Sequence, residues 1–308
     1  MVNKKNIIID MGGTRLKIGF FDGLRLMETK IISACSQEAF VHTIHKIDAE
    51  ITNFCRSFHI GTIDGIGLSI PGIVDTKTNR VISINKKYSD SVTFDLNQWS
   101  ANTWNTILIT ENDSRAALMG EWKVGAGKGI DNLVMITLGT GIGGATLIEG
   151  KLLHGKHFQA GCLGGHFCID FQGEQCNCGN KGCAETKGSL WALPILAKEN
   201  GWPDDTIDFE QLFNAMRAGK PEAVSIVRTC IEAWSACTVN LIHAYDPERV
   251  IVGGGVMKSA DVILPRMENL INRYAWTPWG KVDLKAAEFG DTAALYGMNY
   301  LLHEKIIV

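Results

Sequence analysis

The chain has 308 residues, 45% of them apolar and 20% charged, with a net charge of −3. At roughly 150 residues per domain this composition predicts two globular domains rather than a disordered chain. The slightly acidic balance excludes a strongly basic nucleic-acid binder, and no apolar run approaches the ~20 residues of a membrane span. The opening MVNKKNIIID passes from two lysines into a short strand-like run. It lacks the ~7–15 apolar residues and the small-residue cleavage site of a secretory signal, so a cytoplasmic location is expected.

The first predicted element is a hairpin, IIIDMGGTRLKIGFFDG at 7–23. Two short apolar runs flank a glycine-rich turn, the pattern of buried strands. GTIDGIGLSI (61–70) reads as a strand that stops at the turn Pro71-Gly72. NTILITEND (105–113) reads as a strand ending in polar residues, and Ser114 to Trp122 is rich in helix formers. A second hairpin follows at 134–150, VMITLGTGIGGATLIEG. Glu222 to Tyr245 is a long amphipathic helix stopped by Asp246-Pro247. ERVIVGGGV (248–256) is a strand running into three glycines, and residues 291–303 form a closing helix. Strands alternating with helices predict an α/β protein with sheets covered by helices.

The two hairpins echo each other at an offset of 127 residues. Both are 17 residues long and share the order apolar run, polar residue (Asp10 or Thr137), glycine turn, apolar run, acidic residue and glycine. With three identities between them, the pattern carries the argument, and a duplicated two-lobed protein would produce it. Bare backbone at Gly12, Gly13, Gly139, Gly141, Gly143 and Gly144 can aim N–H groups at phosphate. Gly139, Gly141 and Gly144 also fit G-x-G-x-x-G, but the strand-like ATLIEG follows instead of a helix, and position 164 is glycine instead of an acid. The Rossmann reading therefore fails, and no P-loop motif is present. Two glycine-rich hairpins facing a cleft, with the triplet Gly253–Gly255, suit a nucleotide lying between two lobes.

Three groups of residues carry chemistry. Asp10 ends the first strand beside its glycine turn, where a carboxylate can hold Mg²⁺ against phosphate oxygens or merely cap the turn. Glu111-Asn112-Asp113 lies at a strand-to-helix junction. There Asp113 can accept the proton of an attacking hydroxyl while Asn112 bonds a neighbouring one; Asp-Ser at a helix start is also an ordinary cap. Of nine cysteines, Cys35, Cys55, Cys230 and Cys237 are scattered among apolar neighbours and read as small buried hydrophobes. His166, Cys176, Cys178 and Cys183 form H-x9-C-x-C-x4-C, a closed Cys3His set suited to structural zinc.

With these residues together the chain resembles the ROK family of sugar kinases and repressors, within the actin/hexokinase-like ATPases. The resemblance is carried by Asp10-Met11-Gly12-Gly13-Thr14, by GLSIPGIVD at 67–75, by Asn112-Asp113 and by LGTGIGG at 138–144. Gly165-His166, CNCGNKGCAE at 176–185 and Gly253–Gly255 complete it. It implies an α/β fold of two lobes with ribonuclease-H-like cores and a cleft between them. The small lobe would take residues 1–112 plus 291–308, and the large lobe 113–290 with a zinc loop at 166–185. It implies ATP-dependent phosphorylation of a hydroxyl, usually the 6-hydroxyl of a hexose or N-acetylhexosamine, with Asp113 as general base. Gly72, Asn85, Asn112, His166 and Glu185 would hold the sugar. Asp10, Gly12, Gly13, Thr14, Lys17, Thr140, Gly141, Gly254 and Gly255 would hold ATP and its Mg²⁺. One His166 nitrogen would bind zinc and the other would face the sugar. The family also implies a homodimer, with no nucleic-acid or membrane partner for a kinase.

One departure stands out. The family commonly has G-E-x-G-H, whose glutamate binds sugar hydroxyls near the anomeric end. Here Leu163 lies three residues before His166, and Cys162 takes the slot when the segment is aligned from Ala160-Gly161. Neither is a carboxylate, and an unpaired hydroxyl there would cost ~1–3 kcal/mol, so glucose use is expected to be weak. Two other readings stay open. One is a sugar-binding ROK protein with altered catalysis. The other is a sugar-responsive regulator, which would lack the usual helix-turn-helix because the first hairpin motif begins after nine residues.

Overall fold

A computed structural model describes residues 4–34, 37–84, 87–203 and 206–307. The first half of the chain contains β1 (Lys5–Met11), β2 (Arg15–Asp22), β3 (Arg25–Ser33), α1 (Phe40–Ser57) and β4 (Gly65–Ile70). It continues with the short pair β5 (Ile73–Asp75) and β6 (Arg80–Ser83), then α2 (Leu96–Trp99), β7 (Ile107–Asn112) and α3 (Asp113–Val124). The second half opens with β8 (Leu133–Leu138), β9 (Ile142–Ile148), β10 (Lys151–Leu152), α4 (Glu185–Gly188), α5 (Leu193–Glu199) and α6 (Phe209–Arg217). It closes with α7 (Pro221–Tyr245), β11 (Arg249–Gly253), α8 (Ala260–Tyr274), β12 (Asp283–Ala286) and α9 (Ala293–Ile307).

These elements form two compact units. One holds the chain up to Gly125, the segment His154–Ala160, and Thr292 onward; the other holds Ala126–Leu153 and Gly161–Asp291. The division differs from the 112/113 boundary expected from the sequence. Helix α3 belongs to the first unit because it packs on α9 there. The two helices touch through glycines: a methyl group on Gly120 would lie 1.9 Å from the Ala293 carbonyl oxygen, and one on Gly297 would lie 1.9 Å from that of Ala116.

The hairpin echo extends to whole sheets. The first unit has the strand order β3-β2-β1-β4-β7 and the second β10-β9-β8-β11-β12. In each, the hairpin and its third strand are antiparallel, and two later strands continue in parallel with the hairpin's first. The Asp22-Gly23 and Glu149-Gly150 signatures are the turns into those third strands; Gly23, Glu149 and Gly150 all have φ between 49° and 71°. The third strands β3 and β10, helices α1 and α8, and strand β12 were not singled out from the sequence.

Strand β1 explains its unit's layering. Ile7, Ile9 and Met11 pack in the cluster that includes Phe40, Ile44, Ile47, Ile51 and Phe54 of α1. Ile8 points the other way, into a cluster with Ala116 of α3 and Leu295, Met298 and Leu302 of α9. A strand covered on both faces reads as a continuous apolar run, which is why IIID shows no alternation. In the second unit, Val134, Ile136, Val250 and Val252 pack with α7 residues including the fully buried Trp234. Helix α7 ends at Asp246 in the left-handed region (φ 46°), just before Pro247. Cys230 and Cys237 are fully buried and Cys55 is half-buried, while Cys35 lies outside the described residues. Among the described residues no helix is long and apolar enough to cross a membrane.

The glycine contact between α3 and α9 is testable. Gly297→Ala is expected to cost roughly 3 kcal/mol through overpacking against backbone, lowering Tm by on the order of 5–10 °C. A wild-type Tm in calorimetry would show that the helices do not meet there.

Candidate active site

The predicted residues fall into two groups, one in each unit. In the first unit the parallel strands β1, β4 and β7 bring their carboxyl ends into register, with Asp10 beside Ser69, Ser69 beside Glu111 and Ile70 beside Asn112. This edge collects the polar residues that end the three apolar runs. Ser69 Oγ donates to Asp10 Oδ1 at 2.6 Å, and Lys17 Nζ lies 3.5 Å from Asp10 Oδ2. The Gly12-Gly13 turn is tight: the Gly12 N–H donates to the Arg15 carbonyl, and a methyl group on Gly12 would lie 2.7 Å from that oxygen. Thr14 is exposed at the turn.

The cap of α3 is Asn112, not Asp113. Asn112 Oδ1 accepts from the Ser114 and Arg115 N–H groups at 3.1 and 3.2 Å. Its Nδ2 donates to the Gly72 carbonyl and to Asp113 Oδ1, each at 3.0 Å. Gly72 has φ 105°, and a methyl group on it would lie 2.3 Å from the Ser83 carbonyl oxygen. Asn112 thus ties the β4 turn to the helix start, using both Nδ2 hydrogens on protein. Asn85 lies outside the described residues.

Relieved of capping, Asp113 occupies the first helical position with its two oxygens differently engaged. Oδ1 accepts from Asn112 Nδ2 and, at 2.8 Å, from the Ser114 N–H. Among the described residues no protein donor bonds Oδ2. Burial of the carboxyl, and next the charge of Asp10, push its pKa up to about 6, against the lowering by Ser114 and Asn112.

Behind this edge lies a cluster the sequence reading missed. Glu111 is 3% exposed; its Oε2 meets His154 Nε2 at 2.7 Å, and its Oε1 lies 3.5 Å from the fully buried Arg115 guanidinium. Arg115 Nη2 donates to the Phe158 and Ala160 carbonyls at 3.0 and 2.8 Å. The cluster fastens the segment His154–Ala160 to the strand end that carries Asp113. Ser69 was also missed. Its only sequence signal was its place at the end of a buried apolar run, before Pro71-Gly72.

In the second unit, Thr140 and Gly255 line a cavity of about 460 Å³ with Phe209, Asn214, Arg217 and Lys258. Gly139, also on the wall, and Gly255 have open space where a side chain would stand. Gly254 has φ 96° and lies so close to Leu138 that a methyl group would meet its carbonyl oxygen at 2.2 Å. Glu185 is buried, with Oε2 accepting from the Ile142 N–H and Oε1 from Trp191 Nε1, both at 2.9 Å. A methyl group on Gly141 would lie 2.7 Å from Oε2, so glycine there admits the carboxylate. Glu185 therefore links the cysteine-rich segment to the second glycine turn.

The ligand atoms of His166, Cys176, Cys178 and Cys183 all lie within 4.8 Å of one another. The Cys178 and Cys183 sulfurs are 3.7 Å apart, and His166 Nδ1 is 3.6 Å from Cys176 Sγ. Tetrahedral Zn–S and Zn–N bonds of ~2.3 and ~2.05 Å require edges of about 3.8 and 3.6 Å, so the set fits zinc. Burial and mutual crowding push the Cys176 and Cys183 thiols upward. A bound dication would relieve that crowding by stabilising thiolates. At the missing-glutamate position Cys162 is buried and Leu163 is 38% exposed; neither supplies a charge.

The strain on Asp113 has a stability consequence. With a folded pKa of about 6 against 3.8 unfolded, the folded chain holds a proton the unfolded chain releases between those values. Stability therefore falls as pH rises through that window. Asp113→Asn is expected to raise Tm at pH 7.5 by more than at pH 4. An equal effect at both values would contradict a raised pKa.

Comparison with known proteins follows the same lines. The ROK family profile matches residues 6–305. A glucokinase of Streptomyces coelicolor is 30% identical, over 96% of each chain. The crystal structure of a ROK hexokinase from Thermus thermophilus is 26% identical with a TM-score of 0.84, covering 98% of this chain and 99% of that one. A ROK glucokinase from Streptomyces griseus, in complex with glucose and AMPPNP, is 27% identical with a TM-score of 0.78, covering 96% and 98%. With the α/β architecture of its kinase relatives and a profile match across nearly its whole length, the chain belongs to the ROK family.

Proposed function

We propose that the chain is an ATP-dependent sugar kinase in which Asp113 is the general base. The observation that carries this reading is the asymmetry of the Asp113 carboxylate. Oδ1 is fixed by the Asn112 Nδ2 and Ser114 N–H donors, with the Ser114 hydroxyl at 3.5 Å, and Oδ2 is left to receive a proton at a buried strand end. A base with a pKa of about 6 is ionised at neutral pH yet matched to proton transfer there. The kinase relatives, one bound to glucose and AMPPNP, support the same reaction class.

In this reading Asp113 takes the hydroxyl proton as the sugar oxygen attacks the γ-phosphorus. Most of the remaining catalysis in phosphoryl transfer is positioning and charge stabilisation. The glycine turns at 12–13 and 139–141, Thr14, Lys17, Gly254 and Gly255 would hold the nucleotide, with the cavity beside Thr140 and Gly255 receiving its base and sugar. Asp10 would hold Mg²⁺, which supplies charge neutralisation to the phosphates; a dication there also offsets the repulsion between Asp10 and Asp113. Gly72, Asn85, Asn112, His166 and Glu185 would shape the sugar pocket, and a hexose 6-hydroxyl is the proposed acceptor. Asn112 and Glu185 contribute mainly by bracing it, given how many of their hydrogen bonds go to protein.

Zinc on the Cys3His set is the proposed structural ion, leaving His166 Nε2 for the sugar side. The absence of a carboxylate at Cys162 and Leu163 argues for a preferred sugar other than glucose. A cytoplasmic homodimer is the assembly the family suggests.

A coupled ADP-release assay over a panel of hexoses and N-acetylhexosamines tests the reading. One sugar should give turnover well above glucose, and Asp113→Asn should lower kcat by on the order of 10³-fold. In the wild type, kcat/KM should rise with pH through about 6 and then level, because only the ionised carboxylate accepts the proton. Turnover that survives the substitution removes Asp113 from its role, and glucose as the best substrate overturns the specificity argument. Plasma mass spectrometry of the purified chain should find one zinc per chain, absent after Cys176→Ser with a lower Tm. A metal-free chain of unchanged Tm would contradict the structural ion.

A further inference from the structure

We infer that Lys87 donates its positive charge to the phosphoryl group in transfer, over the glycine turn of the first hairpin; the inference rests on the kinase reading above. The primary observation is steric. A methyl group built on Gly13 would lie 2.2 Å from Lys87 Nζ and 3.0 Å from its Cδ. The lysine side chain thus fills the volume that any other residue at 13 would claim. Its ammonium rests against bare backbone one turn beyond the Asp10 carboxylate.

Among the described residues, Lys17 and Lys87 both reach toward this glycine turn, and they differ. Lys17 is paired with Asp10 at 3.5 Å, so its charge is largely offset. No ion pair joins Lys87 to a carboxylate among the described residues, which leaves its charge available to an anion. What holds Lys87 there is its neighbour. Tyr88 is 1% exposed, and its hydroxyl donates to the Gly12 carbonyl at 2.9 Å. Its ring stands edge-on to Phe40 with centroids 6.0 Å apart. Tyr88 also sits in the left-handed region, φ 54° and ψ 36°, a conformation bulky residues seldom adopt without being held. The same turn that would face phosphate therefore anchors the residue next to the lysine. The sequence reading did not single out Lys87, because 74 residues separate it from Gly13 and no motif joins them.

The chemistry asks for such a charge. The sugar oxygen forms a bond to the γ-phosphorus as the bond from that phosphorus to the β-phosphate oxygen breaks. The electron pair leaves with ADP, and the hydroxyl proton passes to Asp113. Negative charge is spread over the three equatorial oxygens meanwhile. Lys87 stabilises that charge as a compact, mobile ammonium.

The test uses the full chain and the sugar that wild type turns over fastest. Lys87→Met should lower kcat about a hundredfold while the sugar KM stays within about threefold, the split expected of a group acting in the transition state. Lys87→Arg should recover at least about a tenth of the wild-type kcat because it restores the charge. The extra stabilisation that aluminium fluoride adds to ADP with saturating sugar in wild type should vanish in Lys87→Met, while stabilisation by ADP alone persists. Gly13→Ala should displace the lysine and slow turnover, and the double variant should be no slower than the slower single one. A Lys87→Met kcat within threefold of wild type, loss of the ADP-alone stabilisation, or losses that multiply in the double variant would each overturn the inference. Absence of sugar-dependent ADP release in wild type would remove the kinase reading and this inference with it. Wild-type turnover with an unaffected Lys87→Met removes Lys87 alone.

Discussion

The first unit's polar edge depends on one constraint: the Asp113 carboxylate is held by one oxygen and left open at the other, at the buried end of a parallel strand. Asn112 creates that asymmetry by taking the cap position of α3 and donating to Oδ1. Burial, and next the negative charge of Asp10, in register with Ser69 on the adjoining strand, push the Asp113 pKa up to about 6. Each of these residues lies at or next to the carboxyl end of an apolar strand. The same hydrophobic runs that build the sheet thus carry the acids to its edge, and parallel pairing brings the edges together.

The second unit repeats the plan without repeating the chemistry. Its sheet has the same strand order, and its glycine turn is braced by a carboxylate from a distant segment, Glu185. The Cys3His cluster ends at Cys183, two residues before Glu185, so the proposed zinc and this carboxylate would act on one short stretch of chain. A staple there makes physical sense. Residues 153–184 contain no helix or strand of more than three residues, and such a segment needs cross-links to keep a carboxylate in a fixed place.

The legible part of this protein was the part that local rules govern. The continuous run IIID, the glycine turns and the acidic-glycine pairs revealed both hairpins, and the breaker Asp246-Pro247 marked the end of α7. The cysteine and histidine spacing located the cluster whose ligand atoms converge in space. What stayed hidden depended on pairings across long separations. The third strands, β3 in particular, alternate irregularly between exposed and half-buried residues and so lack a clear apolar pattern. Glu111 was noted only as part of the strand end, and Arg115 and His154 looked like ordinary polar residues, until the fold brought the three together. Asp113 was the candidate for both cap and chemistry, and only the hydrogen bonds show that Asn112 takes the cap. The place of α3 in the first unit was hidden because α3 follows β7 directly, while its glycine packing partner lies in α9.

The most direct test of the central claim is a titration of the Asp113 carboxyl carbon by NMR in selectively labelled protein. The midpoint is expected near 6, moving downward in Asp10→Asn as the second of its two causes is removed. A midpoint near 3.8, the ordinary value, that ignores the Asp10 substitution would mean the carboxylate is neither buried nor coupled. The proposed base would then lose its physical basis.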